Sequence, residues 1–216
     1  MSKKLIFLVI LSLIIGGLFY FLFIWEVPKE PEQENSQGPT LFAKEDYKID
    51  EREDGKYIVV EKVGLTCKVP ENWDIKIEGD DYPESEYWVN LSSPDLATTT
   101  GDVLTKGCTL SVMVASAEET VQDIKKNIKL LQEHPEESDT LKQDYILAET
   151  FEIIKIDNYL ALKTISQKRK IIGQGINLDI PIKEENWINF KIAFPLEYEE
   201  KCSPIWEEFI KNIIIE

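Results

Sequence analysis

Few residues of this 216-residue chain have types that could do chemistry: one histidine, three cysteines and one dense run of carboxylates. A catalytic Cys-His pair would join His134 to Cys67 or Cys108. Both cysteines fall in the apolar set of alternating segments, where a thiol behaves as a small hydrophobe. His134 precedes Pro135 at a helix end, where the macrodipole already favours an imidazole. No catalytic residue is therefore assigned. No Cys-x-x-Cys or Cys/His cluster exists to hold zinc. Outside the cytoplasm, Cys67 and Cys108 would form a disulfide, closing a loop of about 40 residues for roughly 3–4 kcal/mol. The alternative is three separate thiols.

The carboxylate run is Glu78-Gly79-Asp80-Asp81-Tyr82-Pro83-Glu84-Ser85-Glu86. Calcium needs several oxygens from a turning segment, which makes Asp80, Asp81 and Glu84 the candidate metal ligands, although the spacing is not that of an EF-hand loop. The competing reading is a solvated turn between two strands. Gly173-Gln174-Gly175 is too short to cradle a phosphate, and no other cofactor is implied. Lys168-Arg169-Lys170 is the one basic run, either a docking spot or a charged hairpin end. Trp88, Trp187 and Trp206 read as core or interface filler.

The elements that position these residues begin with a membrane anchor. Lys3 and Lys4 precede a charge-free run from Leu5 to Trp25, which would span about 31 Å as a helix and match a bilayer core. It is longer than the apolar region of a cleaved signal peptide, and no cysteine precedes Cys67 for acylation. The two lysines keep the N-terminus cytoplasmic, so residues 26–216 are expected outside it. That portion carries 40 acidic against 22 basic side chains, a formal charge of −18, which argues against nucleic acid as a partner. The expected organisation is an anchor (1–26), an acidic Pro-rich linker (27–45) and one extracytoplasmic domain (46–216).

Within the domain, period-two alternation marks strands at 64–70, 73–77, 87–91 and 108–114, and again near 150–156, 159–166, 170–180 and 187–194. Val121, Ile124, Ile128 and Leu131 repeat at helical spacing, with Ser116 to Glu119 as a capping box and His134-Pro135 as the stop. Ser203-Pro204 reads as the start of a second helix, and Ile213 to Ile215 as its end or a last strand. This predicts an α+β domain: an antiparallel sheet with two packed helices on one face and the other face left for a partner.

The run from Val63 through Gly64 to Pro70-Glu71-Asn72-Trp73 resembles the glycine-led strand and Pro-x-x-Trp turn of the PsbP-like family of extracytoplasmic domains. The strand ending at Ser93-Pro94, the strand-to-helix segment from Leu110 to Leu131 and the segment from Trp187 to Ile213 follow in that family's order. The resemblance covers about residues 57–216, and implies a PsbP-like fold used for binding or assembly.

The expected function is a single-pass, membrane-tethered module that binds a protein or envelope component without catalysis. A calcium-responsive domain and an extracytoplasmic hydrolase are the alternatives.

Overall fold

The computed structural model describes residues 40–79, 87–99, 103–144, 148–168 and 173–216. The expected membrane span, most of the linker and the candidate ligands Asp80, Asp81 and Glu84 lie outside them. Among the described residues no helix is long and apolar enough to cross a membrane.

In chain order, β1 (Thr40–Leu41), β2 (Lys48–Arg52), β3 (Gly55–Val60), β4 (Leu65–Lys68), β5 (Asp74–Gly79), β6 (Tyr87–Ser92), β7 (Ala97–Thr98), β8 (Leu104–Lys106) and β9 (Thr109–Ser116) precede helix α1 (Glu118–Glu133). Helix α2 (Ser138–Asp144), β10 (Ala148–Ile156), β11 (Tyr159–Ser166), β12 (Gln174–Pro181), β13 (Asn186–Phe194), helix α3 (Glu199–Lys211) and β14 (Ile213–Ile215) follow. The larger sheet runs β10-β11-β12-β13-β9-β6-β5, with β1 taking over beside β9 where β6 ends. The smaller sheet runs β14-β4-β3-β2, and β7 and β8 form a short ribbon. Every pairing is antiparallel, as an α+β domain requires.

Alternation decides which face each strand buries. Ile188, Phe190 and Ile192 of β13 stand in register with Val114, Val112 and Leu110 of β9, and all six are fully buried. They meet Ile58, Leu65 and Cys67 of the smaller sheet in one core, together with Trp206 and Phe209 of α3. Phe209 packs edge-to-face on Phe190 at 5.6 Å between ring centroids. Each such side chain contributes about 1.5–3 kcal/mol by leaving water. On the opposite face, α1 lays Ile124, Ile128 and Leu131 on Leu162, flanked by Ile153 and Trp187. The two long helices thus lie on opposite faces of the larger sheet, not together on one.

Several expected boundaries move. Residues 40–45, assigned to the linker by composition, are structured: β1 pairs with β9, and Lys44–Asp46 form a 3-10 turn. Ser116 does not cap α1, because β9 extends through it to pair with Thr40 and Asn186. The N-cap is Ala117, whose own amide donates to the Glu185 carbonyl at 2.7 Å. Helix α3 does not start at Ser203-Pro204 either. A 3-10 turn over Leu196–Tyr198 runs straight into it, so Pro204 sits inside the helix. There its missing N–H forgoes one helical bond. Ile213 to Ile215 do form a last strand, paired with β4.

Candidate functional site

Because α1 packs over β10 to β13, the same sheet face has no helix over β5, β6 and β9 among the described residues. Register aligns side chains on that face. Lys76 opposes Asn90, Asn90 opposes Ser111, Ser111 opposes Lys191, Lys191 opposes Asn177, and Asn177 opposes Thr164. At the usual strand spacing this polar row crosses six strands over about 24 Å. The row is polar because these positions alternate with the buried Val89, Leu110, Val112 and Ile192, so the same period that fills the core sends them outward.

A parallel row carries Glu78 and Trp88 at one end, and Met113, Asn189 and Asp179 at the other. Asn90 Nδ2 donates to Glu78 Oε2 at 3.1 Å, and Asn189 Nδ2 donates to Asp179 Oδ1 at 2.8 Å. Burial pushes the Asp179 carboxyl up to about 6, and the Asn189 bond pulls in the other direction without cancelling it. Thr164, at the helix-covered end of the first row, is buried and its Oγ1 has no hydrogen-bond partner among the described residues. Chemically the surface offers amide, hydroxyl and ammonium donors, carboxylate acceptors and one indole.

Among the described residues nothing reactive converges on it. His134 is exposed beyond α1, with Nδ1 3.3 Å from Glu136 Oε1. Cys67 is buried as a free thiol, which burial pushes well above its ordinary pKa. The expected Cys67–Cys108 disulfide is not formed. Cys108 bonds Cys202 instead, with Cα atoms 5.9 Å apart. The reason is geometric: α3 brings Cys202 onto the start of β9, while Cys67 faces Ile58 and Ile213 within the smaller sheet. Among the described residues no group of His, Cys, Asp and Glu could hold a metal.

The remaining sequence candidates are dispersed. Lys168 Nζ pairs with Glu199 Oε2 at 2.6 Å, and Arg169 and Lys170 lie outside the described residues. Trp206 fills the core and Trp187 lies beneath α1, whereas Trp88 stands on the open face. Gly173 serves a turn at φ +79° tight against the Phe194 carbonyl. Sequence reasoning missed Lys163, 13% exposed, whose Nζ lies 3.0 Å from Glu152 Oε2 and 3.9 Å from Glu207 Oε1. It alternates within an apolar strand, so no local signal marks it.

No family model matches the chain, and no curated protein matches it. A crystal structure of a protein from Bacteroides thetaiotaomicron VPI-5482 is similar over 71% of this chain at 10% identity and a TM-score of 0.40. The chain spans 45% of that protein's length.

Proposed function

We propose that this chain is a membrane-tethered, extracytoplasmic module that binds a protein or envelope component through the open half of its larger sheet, without catalysis. The observation that carries the reading is the polar row from Lys76 to Thr164, an ordered line of hydrogen-bonding groups with no helix over its β5, β6 and β9 end among the described residues. Antiparallel sheets with one solvated face commonly use such a surface for water alone. Here the adjoining row adds an indole, Trp88, which gives a partner apolar area beside the hydrogen bonds. The Cys108–Cys202 disulfide supports an oxidising compartment, consistent with the anchor's expected orientation. The PsbP-like resemblance points the same way, towards binding rather than chemistry.

The test is site-specific photo-crosslinking of the full chain in its native membrane. A photoreactive residue in place of Ser111 should trap a discrete species that the same residue in place of Glu51, on the far edge of the smaller sheet, does not. Identical patterns from both positions would remove the open face as the binding surface.

A further inference from the structure

Helix α1 and the β10–β11 hairpin flank an open groove of about 410 Å³ on the helix-covered half of the larger sheet. Its floor is apolar, formed by Ile128, Leu160 and Pro181. Leu160 is 39% exposed, one of two large apolar side chains with that much surface in water among the described residues. Its rim is polar. Lys125 and Lys129 stand on it, one helical turn apart, with the amides of Gln132 and Asn158.

These polar groups are available for a ligand. Lys125 Nζ makes one hydrogen bond, to the Lys183 carbonyl at 3.3 Å, and an ammonium has three protons to give. Lys129 is 72% exposed and reaches Glu133 at only 3.9 Å, a pairing worth little in water. Neither the Gln132 nor the Asn158 amide has a hydrogen-bond partner among the described residues. Unpaired amides suit the N–H and C=O groups of an extended backbone, an apolar floor suits one side chain, and two ammoniums suit carboxylates. The rim also stands out against its setting, since residues 26–216 carry a formal charge of −18. An acidic segment repelled by the rest of the domain finds on this rim two lysines one helical turn apart, beside an apolar floor.

We propose that this groove docks an extended acidic segment of a partner protein, seating one apolar side chain over Leu160 with flanking carboxylates on Lys125 and Lys129. The site is separate from the open face, so either reading can fail while the other stands.

The experiment uses the full chain in nanodiscs and a peptide carrying fluorescein on its N-terminus, fluoresceinyl-Gly-Glu-Glu-Leu-Glu-Glu-amide, followed by anisotropy. Saturable binding is expected, weakening as salt rises. The double variant Lys125→Glu/Lys129→Glu should lose about tenfold or more in affinity. Leu160→Asp should lose binding as well, and Lys76→Ala on the open face should keep it. Because all these positions are on the surface, each variant should melt as the parent does. The proposal is overturned if the peptide does not saturate, if its lysine-for-glutamate counterpart binds equally, or if the Lys125→Glu/Lys129→Glu protein binds unchanged.

Discussion

Cys108 at the head of β9 and Cys202 in α3 are joined across 94 residues of sequence, which fastens the last helix to the centre of the larger sheet. Closing a loop of that length restricts the unfolded chain, an effect of roughly 4–5 kcal/mol in the loop-entropy model. Cys202→Ser should therefore lower the melting temperature by roughly 8–20 °C, while the parent in reductant falls to match it. Thiol counting separates this pairing from the alternatives. The native protein should react with no thiol reagent, and the denatured, unreduced protein should react once, at Cys67. Three reactive thiols, or a labelled peptide containing Cys202, would contradict the assignment.

Asp179 makes stability depend on pH in the direction opposite to most carboxylates. Its folded pKa is raised from 3.8 to about 6, so between those values the folded protein keeps a proton that the unfolded chain has lost. Stability contributed by this group is full below about pH 4, declines as pH rises through about 6, and is level above that. The cost of holding the charged form at neutral pH is at most about 3 kcal/mol. Asp179→Asn keeps an oxygen to accept from Asn189 and removes the charge. The variant should match the parent at pH 4 and exceed it in urea midpoint at pH 7. A difference that does not change with pH would rule out this account.

How far the fold was legible follows from the range of each signal. Alternation is local, so Val89-Leu91, Leu110-Val112-Val114 and Ile188-Phe190-Ile192 were readable as strands with one buried face. The spacing of Ile124, Ile128 and Leu131 likewise disclosed α1. What failed depended on pairing between distant segments. Ser116 has the residue type of a cap, but β9's register with β13 and β1 holds its backbone in the sheet. The partner of Cys108 is not legible locally, because inward orientation says which side a thiol faces, not which helix arrives there. The open-face row is a product of five registers, so none of its members is conspicuous alone. Lys163 is the extreme case, since its meaning comes from Glu152 on the next strand and Glu207 on α3.

Gly173 precedes β12 at φ +79°, a left-handed conformation that side chains rarely adopt. A methyl built there falls on the Phe194 carbonyl at the end of β13. Gly173→Ala combines backbone strain with a collision against main chain that cannot swing aside. It should cost about 2 kcal/mol or more in urea denaturation. Gly175, whose added methyl would meet only ordinary contacts at 3.4 Å or beyond, should tolerate alanine far better. Equal losses at the two positions would argue against the turn geometry at Gly173.

The two sheets meet where Asp157, in the β10–β11 turn, accepts a hydrogen bond from the Ile215 amide of β14 at 2.9 Å. Asp157 also stands at φ +49°, a conformation Asp and Asn tolerate better than other side chains. One residue thus does two separable things, and substitution can divide them. Asp157→Asn keeps both the turn preference and an acceptor oxygen, and should cost a few tenths of a kcal/mol. Asp157→Gly keeps the backbone freedom and leaves the Ile215 amide without its acceptor, a loss of about 1 kcal/mol. Asp157→Ala loses the acceptor and strains the turn, and should cost the most, about 2 kcal/mol. Hydrogen exchange at the Ile215 amide supplies the second reading: it should quicken in the glycine and alanine variants and stay slow in the asparagine one. An exchange rate indifferent to all three substitutions would mean that β14 is held by β4 alone.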